Sequence, residues 1–183
     1  MLFATYWGIG GLVNMTDVIP GFSKDVTYII GVFYNMIDIP FILAILCYTT
    51  NSILVRKFTS VALLVVTSVV IISLIINGIN YDALKYPLGT GIALVLFIVS
   101  MEIIRYMQKV EHSNRQNAKM FIYAAVLFEY STFILIYISD YFMTMEDRKD
   151  SFIIYYISTL VAILIASCGY LLFKKYERRN VRY

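Results

Sequence analysis

Six apolar stretches, five of them long enough to pass through a lipid bilayer, constrain this chain more than anything else in it. A helix needs about 20 residues to cross a hydrocarbon core. Residues 26–47, 58–77, 87–107, 120–143 and 152–173 each meet that length. Each is apolar all round rather than along one stripe, the pattern of a helix embedded in lipid and other apolar helices. A barrel would need segments of about 10 residues that alternate in and out. Val61-Ala62-Leu63-Leu64-Val65-Val66 and Ala162-Ile163-Leu164-Ile165-Ala166 are continuous, which excludes that alternation.

The chain opens with a shorter run. Residues 2–13 would rise roughly 18 Å as a helix, less than the hydrocarbon thickness. Extension through Asn14-Met15-Thr16 gives a sixth, thin or tilted span over residues 2–19, with Asp17 near the headgroups. No basic residue precedes it, so it does not read as a secretory signal. Its abrupt start also fits a chain preceded by further residues. The expected fold is all-α: a polytopic transmembrane helix bundle of about six spans, one integral membrane domain over residues 1–183. Hydrophobic residues make up 60% of the chain, too many for a soluble domain to hide.

Charge orients the bundle. Arg56 and Lys57 follow the second run; Arg105, Lys109, Arg115 and Lys119 follow the fourth; Lys174, Lys175, Arg178, Arg179 and Arg182 follow the sixth. Eleven of the 15 basic residues thus fall on one set of alternate connections. Basic connections stay in the cytoplasm, so both the N- and C-termini are expected there, in the cell (inner) membrane. The net charge of +3 is then a topology signal and not a nucleic-acid footprint. The basic tail reads first as a stop-transfer flank, with contact to anionic membrane lipid headgroups as the alternative.

The inventory of reactive groups is thin. One histidine, His112, lies between the fourth and fifth runs and cannot build a His-based metal site or paired haem ligation. Cys47 and Cys168 have no C-x-x-C spacing. No interior lysine is present in the five long runs, and no phosphate-binding, zinc-protease or serine-hydrolase motif occurs. No cofactor or metal is expected, and an enzyme is disfavoured.

Ionisable groups inside a membrane are expensive and mark function by default. Asp38 sits mid-run, with Asn35 one turn before it and Gly31 a further turn back. Pro40 lacks an N–H and frees the Met36 carbonyl. A carboxylate, an amide and a carbonyl at one depth suit a substrate or proton site; a proline kink with self-satisfied polar groups is the structural alternative. Glu129 is also mid-run, and Thr132, Ser139 and Asp140 continue its face outward. That line suits a proton relay or a bundle-facing seam. Glu102 and Arg105 form either an intrahelical ion pair or a cytoplasmic gate. Ser73, Asn77 and Asn80 form a polar edge expected to bond between helices. Ala162, Ala166 and Gly169 form a small-residue packing face.

Gly8-Ile9-Gly10-Gly11 in the first span and Gly89-Thr90-Gly91 in the fourth, with a carboxylate in the second and again in the fifth, sketch an inverted repeat of three spans per half. Three functions fit these residues. The first is a small transporter or proton- or ion-coupled permease acting on a small solute or proton through Asp38, Asn35, Glu129, Thr132 and Asp140. The second is a non-enzymatic subunit, scaffold or sensor with a partner subunit or a second copy. The third is an intramembrane lipid-acting enzyme, which would need both carboxyls at one substrate atom.

Overall fold

The computed structural model describes residues 2–16, 22–142 and 148–180, with the side chains of residues 14, 140, 148–152, 172, 173 and 175–180 outside that description. Six helices follow one another: α1 (Leu2–Met15), α2 (Lys24–Thr49), α3 (Ile53–Asn77), α4 (Tyr81–Met107), α5 (Asn114–Phe142) and α6 (Arg148–Asn180). Among the described residues there is no strand. Helices α2 to α6 are each long and apolar enough to cross a membrane, and α1 is a shorter apolar helix. The protein is therefore an integral, multi-pass membrane protein. Large side chains point outward as they do only where lipid is the solvent: Ile75, Ile76 and Leu64 are 79%, 73% and 68% exposed.

Several helices start earlier than the apolar runs. Helix α3 begins at Ile53 rather than residue 58, α4 at Tyr81 rather than 87, and α5 at Asn114 rather than 120. Hydropathy marks where lipid begins, whereas capping marks where helical hydrogen bonding begins. Side chains at the starts take up N–H groups that have no intrahelical acceptor. Ser23 accepts from Val26 N–H, Ser52 from Val55 N–H, and Asn80 Oδ1 from Ala83 N–H at 2.8 Å. Ser113 and Gln116 form a reciprocal capping box before α5. The proposed first span over 2–19 is helical only to Met15; residues 17–21 lie outside the described residues.

The chain forms two compact units, Met1–Val95 and Leu96–Tyr183. In the first, α2 is central. Helix α3 packs along it, and α1 packs against it more briefly. The α2–α3 turn is closed by the Arg56 guanidinium donating to the Thr50 carbonyl at 2.8 Å. Glycines let α2 and its neighbours approach. A Cβ on Gly91 of α4 would lie 2.5 Å from Cγ2 of Ile39, and one on Gly10 of α1 would lie 2.7 Å from the Tyr34 hydroxyl. Gly31 faces the Tyr81 hydroxyl. Gly78, at φ +78° and ψ −179°, follows α3 in an extended positive-φ conformation that only glycine adopts without strain.

The second unit is built on α5 packed along α6. Ala162 and Ala166 are buried, and a Cβ on Gly169 would lie 2.5 Å from Cβ of Phe121 and 3.1 Å from the Ala118 carbonyl. The small-residue face of the last helix is thus filled by α5.

Candidate functional site

Two carboxylates sit mid-helix and away from lipid. Asp38 is the fifteenth of the 26 residues of α2 and is 4% exposed. Glu129 is the sixteenth of the 29 residues of α5 and is also 4% exposed. An ionisable group in such a position must face protein, because lipid offers it no partner.

Each carboxylate accepts a hydrogen bond from a hydroxyl on the adjacent helix. The Tyr6 hydroxyl of α1 donates to Asp38 Oδ1 at 2.9 Å, and both residues are buried. The Thr159 hydroxyl of α6 donates to Glu129 Oε1 at 3.2 Å. Sequence reasoning placed both carboxylates but missed both donors. Tyr6 is 32 residues from Asp38, and Thr159 is 30 from Glu129. The available signal was weak: a hydroxyl on a neighbouring apolar helix.

The residues grouped with the carboxylates are placed differently. The Asn35 amide donates to the Gly31 carbonyl of its own helix at 2.9 Å. A short polar side chain four residues from a backbone acceptor reaches it readily. The Thr132 hydroxyl likewise donates back to the Phe128 carbonyl at 3.1 Å. Asp140 belongs to α5, but its side chain lies outside the described residues. Helix α2 runs unbroken through Pro40, whose ring nitrogen cannot donate to the Met36 carbonyl. Glu102 and Arg105 stand one turn apart near the end of α4, both half-buried.

The surroundings of Asp38 are aromatic. The Tyr6 ring lies 5.9 Å from Phe41 and 6.3 Å from Trp7, and Trp7 lies 6.1 Å from Phe3. Phe133 stands 5.8 Å from Tyr155 and 6.1 Å from Tyr130 where α5 meets α6. In the α4–α5 connection, His112 stacks on Tyr106 at 3.8 Å, and the Tyr106 hydroxyl donates to Asn117.

Of the polar edge expected on α3, Ser73 makes the bond to another helix, while the bonds of Asn77 and Asn80 close the end of α3 and its turn. The Ser73 hydroxyl donates to the Ala83 carbonyl of α4, Asn77 donates to Ser73 Oγ at 3.3 Å, and Asn80 donates to the Asn77 carbonyl at 2.8 Å. Among the described residues no group of three or more His, Cys, Asp or Glu side chains is arranged to hold a metal ion.

No family model matches the chain, and no curated protein or solved structure matches it either.

Proposed function

We propose that this protein is a small proton- or ion-coupled transporter of the cell membrane, with Asp38 and Glu129 as its exchangeable proton sites. One observation carries the reading: each carboxylate is buried mid-helix and accepts a hydrogen bond from a hydroxyl of another helix. A hydroxyl can donate to an ionised carboxylate and accept from a protonated one. The group can thus gain or lose a proton without stranding a buried polar atom, which would cost about 1–3 kcal/mol. A neutral carboxyl also crosses a dry region that an ionised one cannot. The distribution of basic residues over alternate connections supports an orientation with both termini in the cytoplasm.

The test is proton flux in sealed vesicles of defined lipid. Asp38→Asn and Glu129→Gln keep shape and lose the exchangeable proton, so each is expected to reduce flux at least tenfold. Wild-type flux in both variants would sink the proposal.

A second reading has its own support. Asn35 and Thr132 are bonded to their own helices, and both carboxylates hold their helix pairs together. These are the contacts of a passive membrane subunit whose polar groups are packing elements. That reading expects no flux at any pH and a stoichiometric partner on mild extraction.

A further inference from the structure

The connection between α4 and α5 is fastened to both helices and bare at its tip. The Lys109 N–H donates to the Tyr106 carbonyl at 3.1 Å, which carries the chain past the end of α4. The His112 ring then stacks on the Tyr106 ring at 3.8 Å, and the Tyr106 hydroxyl donates to Asn117 Oδ1 of α5 at 2.9 Å. Ser113 and Gln116 cap α5. Between these ties Val110 is 98% exposed, and Met107, the last residue of α4, is 72% exposed. Lys109 and Arg115 are exposed as well. From Arg105 to Lys119 the chain carries four basic side chains against one acid, Glu111.

We propose that this connection is a docking surface for the headgroup of an anionic phospholipid, with Lys109 and Arg115 on the phosphate and Val110 at the acyl boundary. The surface does not involve Asp38 or Glu129 and stands apart from proton transport.

The occupant follows from position and charge. Helices α4 and α5 are each long and apolar enough to cross a membrane, so the connection that joins them lies at the level of the lipid headgroups. A bare valine gains nothing from water but is stabilised where it enters the boundary between headgroups and acyl chains. A lysine next to it can lay its methylene stem in that layer and keep its ammonium at the phosphates. Arginine offers paired N–H donors to phosphate oxygens. An anionic lipid is favoured over phosphatidylcholine, whose own positive charge would stand against Lys109 and Arg115. The stack and the cap restrain the connection beforehand, so less freedom is lost when a lipid binds.

The test uses the purified full chain in uncharged detergent. The probes are dioleoylphosphatidylglycerol and dioleoylphosphatidylcholine, and native mass spectrometry counts the bound lipid. Phosphatidylglycerol should be retained saturably and more tightly than phosphatidylcholine. A basic side chain at an anionic surface strengthens attachment about fivefold, so Lys109→Gln with Arg115→Gln should weaken retention at least about fivefold. Lys57→Gln with Lys174→Gln removes the same charge from two other exposed positions and should have a much smaller effect. Val110→Ser should weaken retention severalfold with no change of charge, and it serves where the double variant does not fold. Equal retention of the two lipids, or equal losses in the two charge-removing pairs, overturns the site. Unchanged retention in folded Val110→Ser overturns the insertion of the tip. Displacement of the lipid by soluble glycerol 3-phosphate at matched ionic strength overturns the membrane assignment in favour of a free phosphate.

Discussion

The Ser73 hydroxyl on α3 donates to the carbonyl oxygen of Ala83, four residues before Pro87 on α4. Proline at position 87 has no N–H, so the helical partner of that carbonyl does not exist. Within a membrane, a freed carbonyl is tolerated where a neighbouring side chain takes it up. Ser73→Ala should destabilise the protein by about 1–2 kcal/mol. Pro87→Ala restores the N–H, so Ser73→Ala should cost less in that background. A double-mutant cycle by unfolding in detergent measures the difference; equal costs would show that the two residues are not coupled.

Asn35→Ala should leave proton flux within about twofold of wild type, while Asp38→Asn should reduce it at least tenfold. The Asn35 amide is bonded to its own helix at Gly31, so its loss leaves the carboxylate untouched. Parallel losses of flux in sealed vesicles would put the amide back into the site.

Glycines divide by what stands opposite them. Gly169→Ala places a methyl against Phe121 Cβ and the Ala118 carbonyl, and should cost about 1–3 kcal/mol as the α5–α6 contact is forced apart. Gly8 and Gly11 have nothing within 4 Å of an added Cβ. Gly8→Ala should be neutral or stabilise by up to about 1 kcal/mol through helix propensity. Thermal unfolding of the variants in one detergent distinguishes these outcomes.

Thr159→Val removes the donor to Glu129 and nearly preserves volume. Hydrogen bonds between membrane helices average about 0.6 kcal/mol, so the stability loss should stay below about 1 kcal/mol. The effect on proton flux should be larger than that small loss implies, because Glu129 loses the hydroxyl that serves both of its protonation states. Unchanged flux in Thr159→Val would leave the hydroxyl with a packing role only.

The five long helices could be read from the apolar runs because lipid imposes a length and forbids charge. The burial of Asp38 and Glu129 was legible for the same reason. Their partners were not. Tyr6 and Thr159 come from other helices, and only tertiary packing selects one hydroxyl among many. Asn35 shares a helical face with Asp38, but that its amide bonds to the Gly31 carbonyl of its own helix is not legible from the spacing alone. The apolar runs mark the lipid-facing stretches, and α3 and α5 begin before them, at the caps formed by Ser52 and Ser113. The Ser113-Asn114-Arg115-Gln116 sequence carries the capping-box pattern that marks the start of α5.

The bonds that finish the α3–α4 turn all join residues no more than ten apart: Asn77 to Ser73, Asn80 to Asn77, Ala83 to Asn80 and Ser73 to Ala83. A nascent chain makes such contacts as soon as the second arm of a hairpin begins to emerge, before α5 or α6 has been translated. The desolvation cost at Pro87 is therefore met inside the hairpin itself. These four bonds draw on no residue of α5 or α6.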